Sequence, residues 1–352
     1  MIRIVRTILP PLLVASIGGP AMAAGKLQVA ATVPNLGFIA SEIGGDHVAV
    51  TTIGSGLQDA HFVEPKPSFI VRLRSVDLLL VNGLDLEIGW VPPLTQGARN
   101  AEILAGGPGY IDCSSRINVL EVPTGALSRA QGDVHPFGNP HYLADPLNAE
   151  IVAAEIADAF KTADPADAAD FEKRRAEFVS RLHAALFGPE LLDLVGGAKL
   201  SRLAQTGELD TFLQTSMVEG KPLASRLSGW LGKLRPYANV KVVTYHKDYS
   251  YFAKRFGLDI VEFVEPKPGI PPSLKHIEEL TQRLSAGDVK LLITRPYVEH
   301  RSTDQLSERT KIPVLTLPLE AGGTPETGDF FKLFDHVTSR IATSLDSSPA
   351  GR

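Results

Sequence analysis

The stretch DLLLVN, residues 77–82, decides the fold class of this chain. It is a short apolar run bounded on both sides by residues that favour turns. A run of this kind is typical of a strand that is buried on both faces of a parallel sheet. Parallel strands are joined by crossovers that usually contain a helix, so strands and helices should alternate around it.

This alternation is present on both sides of the run. In the first half of the chain the patterns predict strands at 27–32, 48–53 and 110–112 and helices at 36–44, 67–74 and 86–96. In the last third they predict strands at 240–245, 260–264, 289–294 and 314–317 and helices at 249–256, 273–284 and 329–344. We therefore predict an α/β protein with two βα lobes, each built on a parallel sheet.

A helical segment separates the two lobes. Residues 148–189 are rich in Ala, Glu, Lys and Arg at helical spacing, and residues 190–235 hold shorter amphipathic pieces that the patterns do not assign. The predicted parts are a signal peptide at 1–23, a first lobe at 24–150, a linking helix with a helical insert at 151–236, and a second lobe at 237–352.

The first residues have the layout of a secretory signal peptide. Arg3 and Arg6 precede a short apolar run at 8–17, and the small residues Ala21 and Ala23 form a cleavage site. The single cysteine, Cys113, lies far from that site, which argues against a lipid anchor there, and we predict that it is buried and inert. The mature chain should therefore be exported and soluble, and in a Gram-negative bacterium it would be periplasmic.

Composition narrows the classes of partner. The chain has 352 residues, of which 44% are hydrophobic and 21% charged, as in an ordered globular protein. Its formal net charge of −5 is dispersed, without a run of Arg or Lys, so nucleic acid is not expected as a partner.

Four of the nine histidines are placed where a ligand could bind. His61 lies in DAHFVEPKPS, residues 59–68, after a predicted strand and before a proline-braced helix. His135 and His141 lie in the proline-rich stretch DVHPFGNPHYLADP, residues 133–146, and His246 ends the strand-like run VKVVTYH. The other five, which have no matching spacing, are interpreted as structural or surface residues: His47, His183, His276, His300 and His336.

His61, His141 and His246 are predicted to converge in the cleft between the lobes. In open α/β sheets ligands bind outside the carboxyl ends of the strands, and neutral imidazole is a good ligand for Zn²⁺ and similar ions. The residues alone leave two interpretations open, a metal site or three separate structural histidines, because the spacing matches neither HExxH nor paired CxxC motifs.

Three motifs resemble those of a known family, the zinc/manganese-binding periplasmic components of bacterial ABC metal importers (cluster A-I solute-binding proteins). DAHFVEPKPS is similar to the family's D-P-H-x-x-E-P-x-P-S, with Ala60 in place of proline, and NPHYLADP is similar to P-H-x-W-x-D-P, with Leu143 in place of tryptophan. YHKDYSYFAKRFGL resembles a third motif, in which a histidine precedes an aromatic-rich helix. The likeness runs in the expected order from about residue 27 to the C-terminus.

The resemblance implies a fold and a set of metal ligands. The two lobes would be joined by a long rigid linking helix, with the metal held between them by His61, His141 and His246. The family's fourth ligand is usually a carboxylate after the final strand, and Glu320 in LTLPLEAGG, residues 315–323, is the nearest one. His135, water or another carboxylate such as Glu265 are the alternatives.

Two further carboxylates are expected to support the ligands. Asp59 and Glu64 flank His61, and a metal-binding histidine usually donates its second ring N–H to a carboxylate or carbonyl. The opposing interpretation, that Glu64 only caps or pairs locally, stays open. Three histidines favour Zn²⁺ over Mn²⁺, which prefers more oxygen ligands.

The expected function is that of a carrier rather than an enzyme. The protein would capture zinc outside the inner membrane and pass it to the membrane permease of an ABC importer, as a monomer, and the sequence leaves open whether a metallochaperone loads it. The alternatives are an exported zinc-dependent hydrolase, with Glu64 or Glu320 as base, and a metal-binding adhesin.

Overall fold

A computed structural model describes residues 25–125, 135–267, 269–285 and 287–347. The predicted signal peptide lies outside these residues. Among the helices they form, none combines the length and apolar character that crossing a bilayer requires.

The first lobe is built on a four-stranded parallel sheet with the strand order β2-β1-β3-β4. All four residues of β3, the strand predicted from DLLLVN, are buried. The strands of this sheet are β1 (Leu27–Ala31), β2 (Val48–Thr52), β3 (Leu78–Val81) and β4 (Tyr110–Asp112), and its crossover helices are α1 (Pro34–Gly44), α2 (Pro67–Leu73) and α3 (Val91–Ala98).

The middle of the chain is mostly helical. Its two long helices and four short ones are α4 (Asn148–Ala163), α5 (Ala168–Phe187), α6 (Pro189–Val195), α7 (Gly197–Thr206), α8 (Leu209–Thr215) and α9 (Gly229–Leu234). A small antiparallel hairpin, β5 (Met217–Val218) and β6 (Lys221–Pro222), lies between α8 and α9. The stretch that the sequence patterns left unassigned therefore consists of short helices and this hairpin.

The second lobe repeats the topology of the first. Its parallel sheet has the order β8-β7-β9-β10, so in each lobe the first strand lies between the second and the third. The strands are β7 (Lys241–Thr244), β8 (Asp259–Phe263), β9 (Leu291–Thr294) and β10 (Val314–Thr316), and the helices are α10 (Ser250–Phe256), α11 (Leu274–Ser285), α12 (Arg301–Thr310) and α13 (Phe330–Asp346). The predicted fold class, two parallel α/β lobes with a long linking helix, is confirmed.

Two helices differ from the sequence prediction. Helix α3 begins at Val91 instead of near residue 86, because Leu84 and Asp85 adopt left-handed conformations with φ of 54° and 63°. The carboxylate of Glu87 accepts hydrogen bonds from the backbone N–H groups of Asn82 and Gly83, which holds this segment as a turn. Helix α12 was not predicted.

One apolar core joins the two lobes and the linking helices, and each lobe has a further apolar cluster of its own. Phe331 of α13 lies 6.1 Å from the ring of Phe38 in α1 and 5.7 Å from the ring of Phe178 in α5. The lobes also meet at the loop after β2, where Gly56 lies so close to Gly323 that a Cβ atom would stand 2.4 Å from its backbone nitrogen. The carboxyl ends of both sheets face each other beside these contacts, which is where the histidines lie.

Candidate metal centre

Three histidines come together between the lobes. His61 lies in a short helical turn after β2, His141 lies before a turn at Tyr142–Ala144, and His246 follows β7. One nitrogen of each ring forms a group in which the atoms lie within 4.8 Å of one another. A Zn²⁺ ion held at about 2.0–2.1 Å by tetrahedral nitrogen ligands separates those nitrogens by roughly 3.4 Å, which fits within this limit.

The rings form a nearly equilateral triangle. Their centroids are 5.2 Å apart for His61 and His141, 5.3 Å for His141 and His246, and 5.6 Å for His61 and His246. The second lobe therefore contributes one imidazole to a site whose other two come from the first lobe.

His61 and His141 are oriented by the same local device. The Nδ1 atom of His61 lies 2.6 Å from Asp59 Oδ1, which also accepts the backbone N–H of His61 at 3.0 Å. Asn139 Oδ1 lies 2.9 Å from Nδ1 of His141 and accepts its backbone N–H at 2.9 Å. In both cases the oxygen belongs to the residue two positions before the histidine.

His246 is oriented by a carboxylate from a neighbouring strand. Its Nδ1 atom lies 2.6 Å from Oε2 of Glu265, which follows β8. Because the oxygens facing the three Nδ1 atoms are acceptors, each Nδ1 carries the proton and each Nε2 keeps a free lone pair. Nε2 of His141 is buried without a hydrogen-bond partner, as expected for an atom that binds an ion.

A fourth imidazole lies next to this group. Nε2 of His135 is 3.0 Å from Nε2 of His61, and the His135 ring centroid is 6.4 Å from that of His141. His135 therefore lies beside the three-histidine group without belonging to it.

The loops that carry the histidines are tied to the first lobe. Trp90 donates its indole N–H to the carbonyl of Ala60 at 2.8 Å, which holds the turn of His61. Asn82, at the end of the DLLLVN stretch, donates to the carbonyl of Pro140 at 3.0 Å and accepts from the Tyr142 hydroxyl at 2.9 Å, which holds the loop of His141.

Glu320, predicted as the fourth ligand, is engaged elsewhere. Its Oε2 accepts the backbone N–H of Asn35 at 2.8 Å, at the start of α1, a helix without a capping side chain of its own. Asn35 in turn donates to the carbonyl of Leu319 and accepts from the N–H of Ala321. Glu320 therefore caps a helix of the opposite lobe, and the three-histidine group does not include it.

Glu64, predicted to support His61, is exposed to solvent. Three of the five histidines interpreted as structural have other partners: His47 contacts Asp170, His183 contacts Glu150, and His276 contacts the carbonyl of Val264.

A family model described as "Zinc-uptake complex component A periplasmic" matches residues 29–186 and 229–344. The chain belongs to this family. Together with the relatives described next, this makes it a metal-binding substrate-binding protein of an ABC metal importer and not an enzyme.

The relatives of this zinc-uptake family member are named for different metals. The manganese ABC transporter substrate-binding lipoprotein PsaA of Streptococcus mitis is 25% identical over 82% of this chain and 78% of its own length. The iron ABC transporter substrate-binding lipoprotein MtsA of Streptococcus pyogenes serotype M1 is 24% identical, with the same coverage of 82% and 78%. The crystal structure of ZnuA superposes with a TM-score of 0.66 at 20% identity, covering 91% of this chain and 99% of that one, and supports the fold.

Burial favours the neutral, metal-binding form of His135, His141 and His246 in this family member. It lowers the pKa of His246 to about 3, with the charge of Arg295 as the next cause, and it lowers the pKa of His135 to about 3. Burial and the neighbouring His61 hold the pKa of His141 well below its usual range. Burial alone would raise the pKa of the Asp59 carboxyl. The hydrogen bonds from His61 and the charge of Arg295 outweigh burial and keep this pKa below its ordinary value.

Sequence reasoning missed three residues around the site: Asn139, Asp248 and Arg295. Asn139 carried a detectable signal, because N-P-H at 139–141 repeats the spacing of D-A-H at 59–61. Arg295 and Asp248 form a buried ion pair, with Nε and Oδ2 2.9 Å apart, and no local motif marks it. When Asp59, Asp248 and Glu265 are ionised, the three carboxylates and one guanidinium give a net charge of −3 + 1 = −2, which a divalent cation balances.

Proposed function

We propose that this protein captures Zn²⁺ in the periplasm and delivers it to the permease of an ABC importer. The ion is bound by Nε2 of His61, His141 and His246, with His135 as the fourth ligand. The observation that carries the proposal is the arrangement of three imidazoles whose Nδ1 atoms are each held by an oxygen acceptor, so that their free nitrogens face a common point.

Zinc is favoured over manganese and iron by the type of donor. Imidazole suits zinc, whereas Mn²⁺ prefers carboxylate, carbonyl and water ligands. The carboxylates nearest the rings, Asp59 and Glu265, already accept hydrogen bonds from His61 and His246. They therefore support ligands instead of supplying oxygen to the ion.

We assign the other parts of the chain to export, metal binding and connection of the lobes. Residues 1–23 direct export, residues 24–150 and 237–352 form the lobes that hold the ion, and residues 151–236 join them. The single cysteine, Cys113, is buried in the first lobe. We place the protein in the periplasm. We take it to act as a monomer.

The test is a metal titration of the purified mature protein. After removal of metal by chelator, Zn²⁺ should bind with one-to-one stoichiometry and more tightly than Mn²⁺. His61→Ala and His246→Ala should weaken this binding strongly, while His336→Ala, which removes a histidine from α13, should retain it. Tighter binding of Mn²⁺ than Zn²⁺ would contradict the zinc assignment.

Transport is tested separately in the source organism. A strain carrying His61→Ala should fail to grow when zinc is chelated and should recover when zinc is added. Unimpaired growth of that strain under zinc limitation would contradict a role in import and would favour the adhesin alternative.

A further inference from the structure

A buried cation lies beside the proposed cation site. Arg295 directly follows β9, and only 3% of its side chain is exposed. A positive charge in this position repels an incoming metal ion, so the metal site alone does not account for it.

The guanidinium of Arg295 connects both halves of the site. Its Nε lies 2.9 Å from Oδ2 of Asp248, two residues after His246, and its Nη2 lies 3.8 Å from Oδ2 of Asp59, two residues before His61. Nη1 donates to the Tyr297 hydroxyl at 2.8 Å. One side chain of the second lobe therefore meets the carboxylate that orients a ligand of the first lobe.

The other two histidines are joined by shorter bonds. Asn139, which orients His141, also donates from Nδ2 to the carbonyl of Lys247 at 2.6 Å, next to His246. The Tyr251 hydroxyl of α10 donates to the carbonyl of Asn139 at 2.8 Å. His141 and His246 thus form a fixed pair across the lobes, whereas His61 is linked to the second lobe through the longer Asp59–Arg295 contact.

We propose that Arg295 is a positioning residue that holds His61, through Asp59, against the pair His141–His246 and thereby sets how long a bound metal ion stays. This inference rests on the proposed function and adds the residue that controls release. The planar guanidinium can serve two carboxylates at once, which a lysine ammonium cannot do in the same geometry.

The test must distinguish the positioning of His61 by Arg295 from the repulsion between the charge of Arg295 and the metal ion. Removing Arg295 alone abolishes both the tether and the repulsion of the ion, and it leaves Asp248 buried without its partner. The double variant Arg295→Gln/Asp248→Asn removes one positive and one negative charge, so the net charge around the site is unchanged. Arg226→Gln, which removes an ion-paired arginine of the helical segment remote from the histidines, is the matched control.

The measurements are the rate of Zn²⁺ release into excess chelator and the visible spectrum of bound Co²⁺. For the double variant we expect release at least about tenfold faster and a weaker Co²⁺ absorption, because one imidazole leaves the four-coordinate site. Arg295→Lys should fall between the double variant and wild type, and Arg226→Gln should behave as wild type. A wild-type release rate and Co²⁺ spectrum in the double variant would overturn the inference.

A variant at Asp59 tests the contact between Asp59 and Arg295 independently, in case the double variant does not fold. Asp59→Asn keeps an oxygen acceptor for His61 but loses the attraction to Arg295, so it should also release Zn²⁺ faster. Combined with Arg295→Lys in a double-mutant cycle, its effect on the release rate should be clearly less than additive. Strict additivity would refute the link. Failure of the wild-type protein to bind Zn²⁺ at all would instead refute the proposed function.

Discussion

Two loops of this protein share the sequence VEPKP but serve the site in different ways. One occupies residues 63–67, which follow β2 and end at the first residue of α2, and the other occupies residues 264–268, which come after β8 in the sequence, so each follows the second strand of its lobe. In both, the valine is buried. Glu64 in the first loop is exposed to solvent, whereas Glu265 in the second accepts a hydrogen bond from His246.

The difference comes from the distance along the chain to the preceding strand. Strand β8 ends at Phe263, so Glu265 stands at the carboxyl edge of its sheet and faces the cleft. Strand β2 ends at Thr52, so the ten residues 53–62 separate it from the VEPKP of the first loop. That separation places Asp59 and His61 at the cleft and moves Glu64 away from it. In the second lobe, VEPKP therefore supplies the glutamate that orients His246. In the first lobe, the same sequence comes after His61 and its glutamate is exposed.

The largest effect should come from removing the histidine that the first loop supplies. Structural zinc sites are worth about 10–16 kcal/mol, so one of four ligands accounts for about 2.5–4 kcal/mol. His61→Ala should therefore weaken Zn²⁺ binding by roughly 10²–10³-fold in a chelator competition assay. Its far-ultraviolet circular dichroism should match that of the wild type, because His61 lies in a three-residue turn outside the strands and α-helices. A loss of less than tenfold would mean that His61 is not a ligand.

A smaller effect should distinguish the two glutamates of the shared sequence. Glu265→Ala removes the acceptor that orients His246, and loss of such a partner typically costs about 10–100-fold in metal affinity. Glu64→Ala is the matched control and should leave Zn²⁺ affinity within about twofold, because its side chain is exposed. Equal losses in the two variants, measured by the same competition assay, would contradict the division of roles between the loops.

These loops also indicate what the sequence could and could not predict. Strand β3 was predictable because burial on both faces leaves four aliphatic residues in a row, and the three histidines expected to converge beside strand ends do lie together. Helix α12 was missed because it is polar and buries only Thr303 and Leu306. The partners of the histidines were harder to predict, since the contact of Glu265 with His246 and that of Arg295 with Asp59 join residues distant in sequence.

Glu320 provides the comparison with the smallest expected effect on metal binding. Like Glu265, it follows a strand of the second lobe, and burial raises the pKa of Glu265 to about 7 and that of Glu320 to about 8. Glu265 accepts a hydrogen bond from the imidazole N–H of His246, whereas Glu320 contacts the N-terminal turn of α1 through the backbone N–H of Asn35. Ionised Glu320 should therefore destabilise the folded protein without affecting the ion.

The sign of this effect on stability follows from proton linkage. Because the folded pKa of Glu320 lies above the ordinary value of 4.5, its contribution to stability is fully present below about pH 4.5 and is lost as the pH rises through 8. The loss amounts to at most about 1.4 kcal/mol per pH unit in that window. Glu320→Gln keeps an oxygen acceptor for Asn35 and cannot ionise, so the free energy of unfolding of the variant should exceed that of the wild type by an amount that grows from pH 5 to pH 8.

Thermal unfolding of the metal-free proteins at several pH values measures this difference. The melting temperature of Glu320→Gln should equal that of the wild type near pH 4 and exceed it at pH 8, by roughly 2–4 °C for each kcal/mol. Zn²⁺ affinity should stay within about twofold of wild type, the range expected for a change that touches neither ligands nor their partners. A large loss of Zn²⁺ affinity in Glu320→Gln would restore Glu320 as the fourth ligand and would require the loop after β10 to move towards the histidines when metal binds.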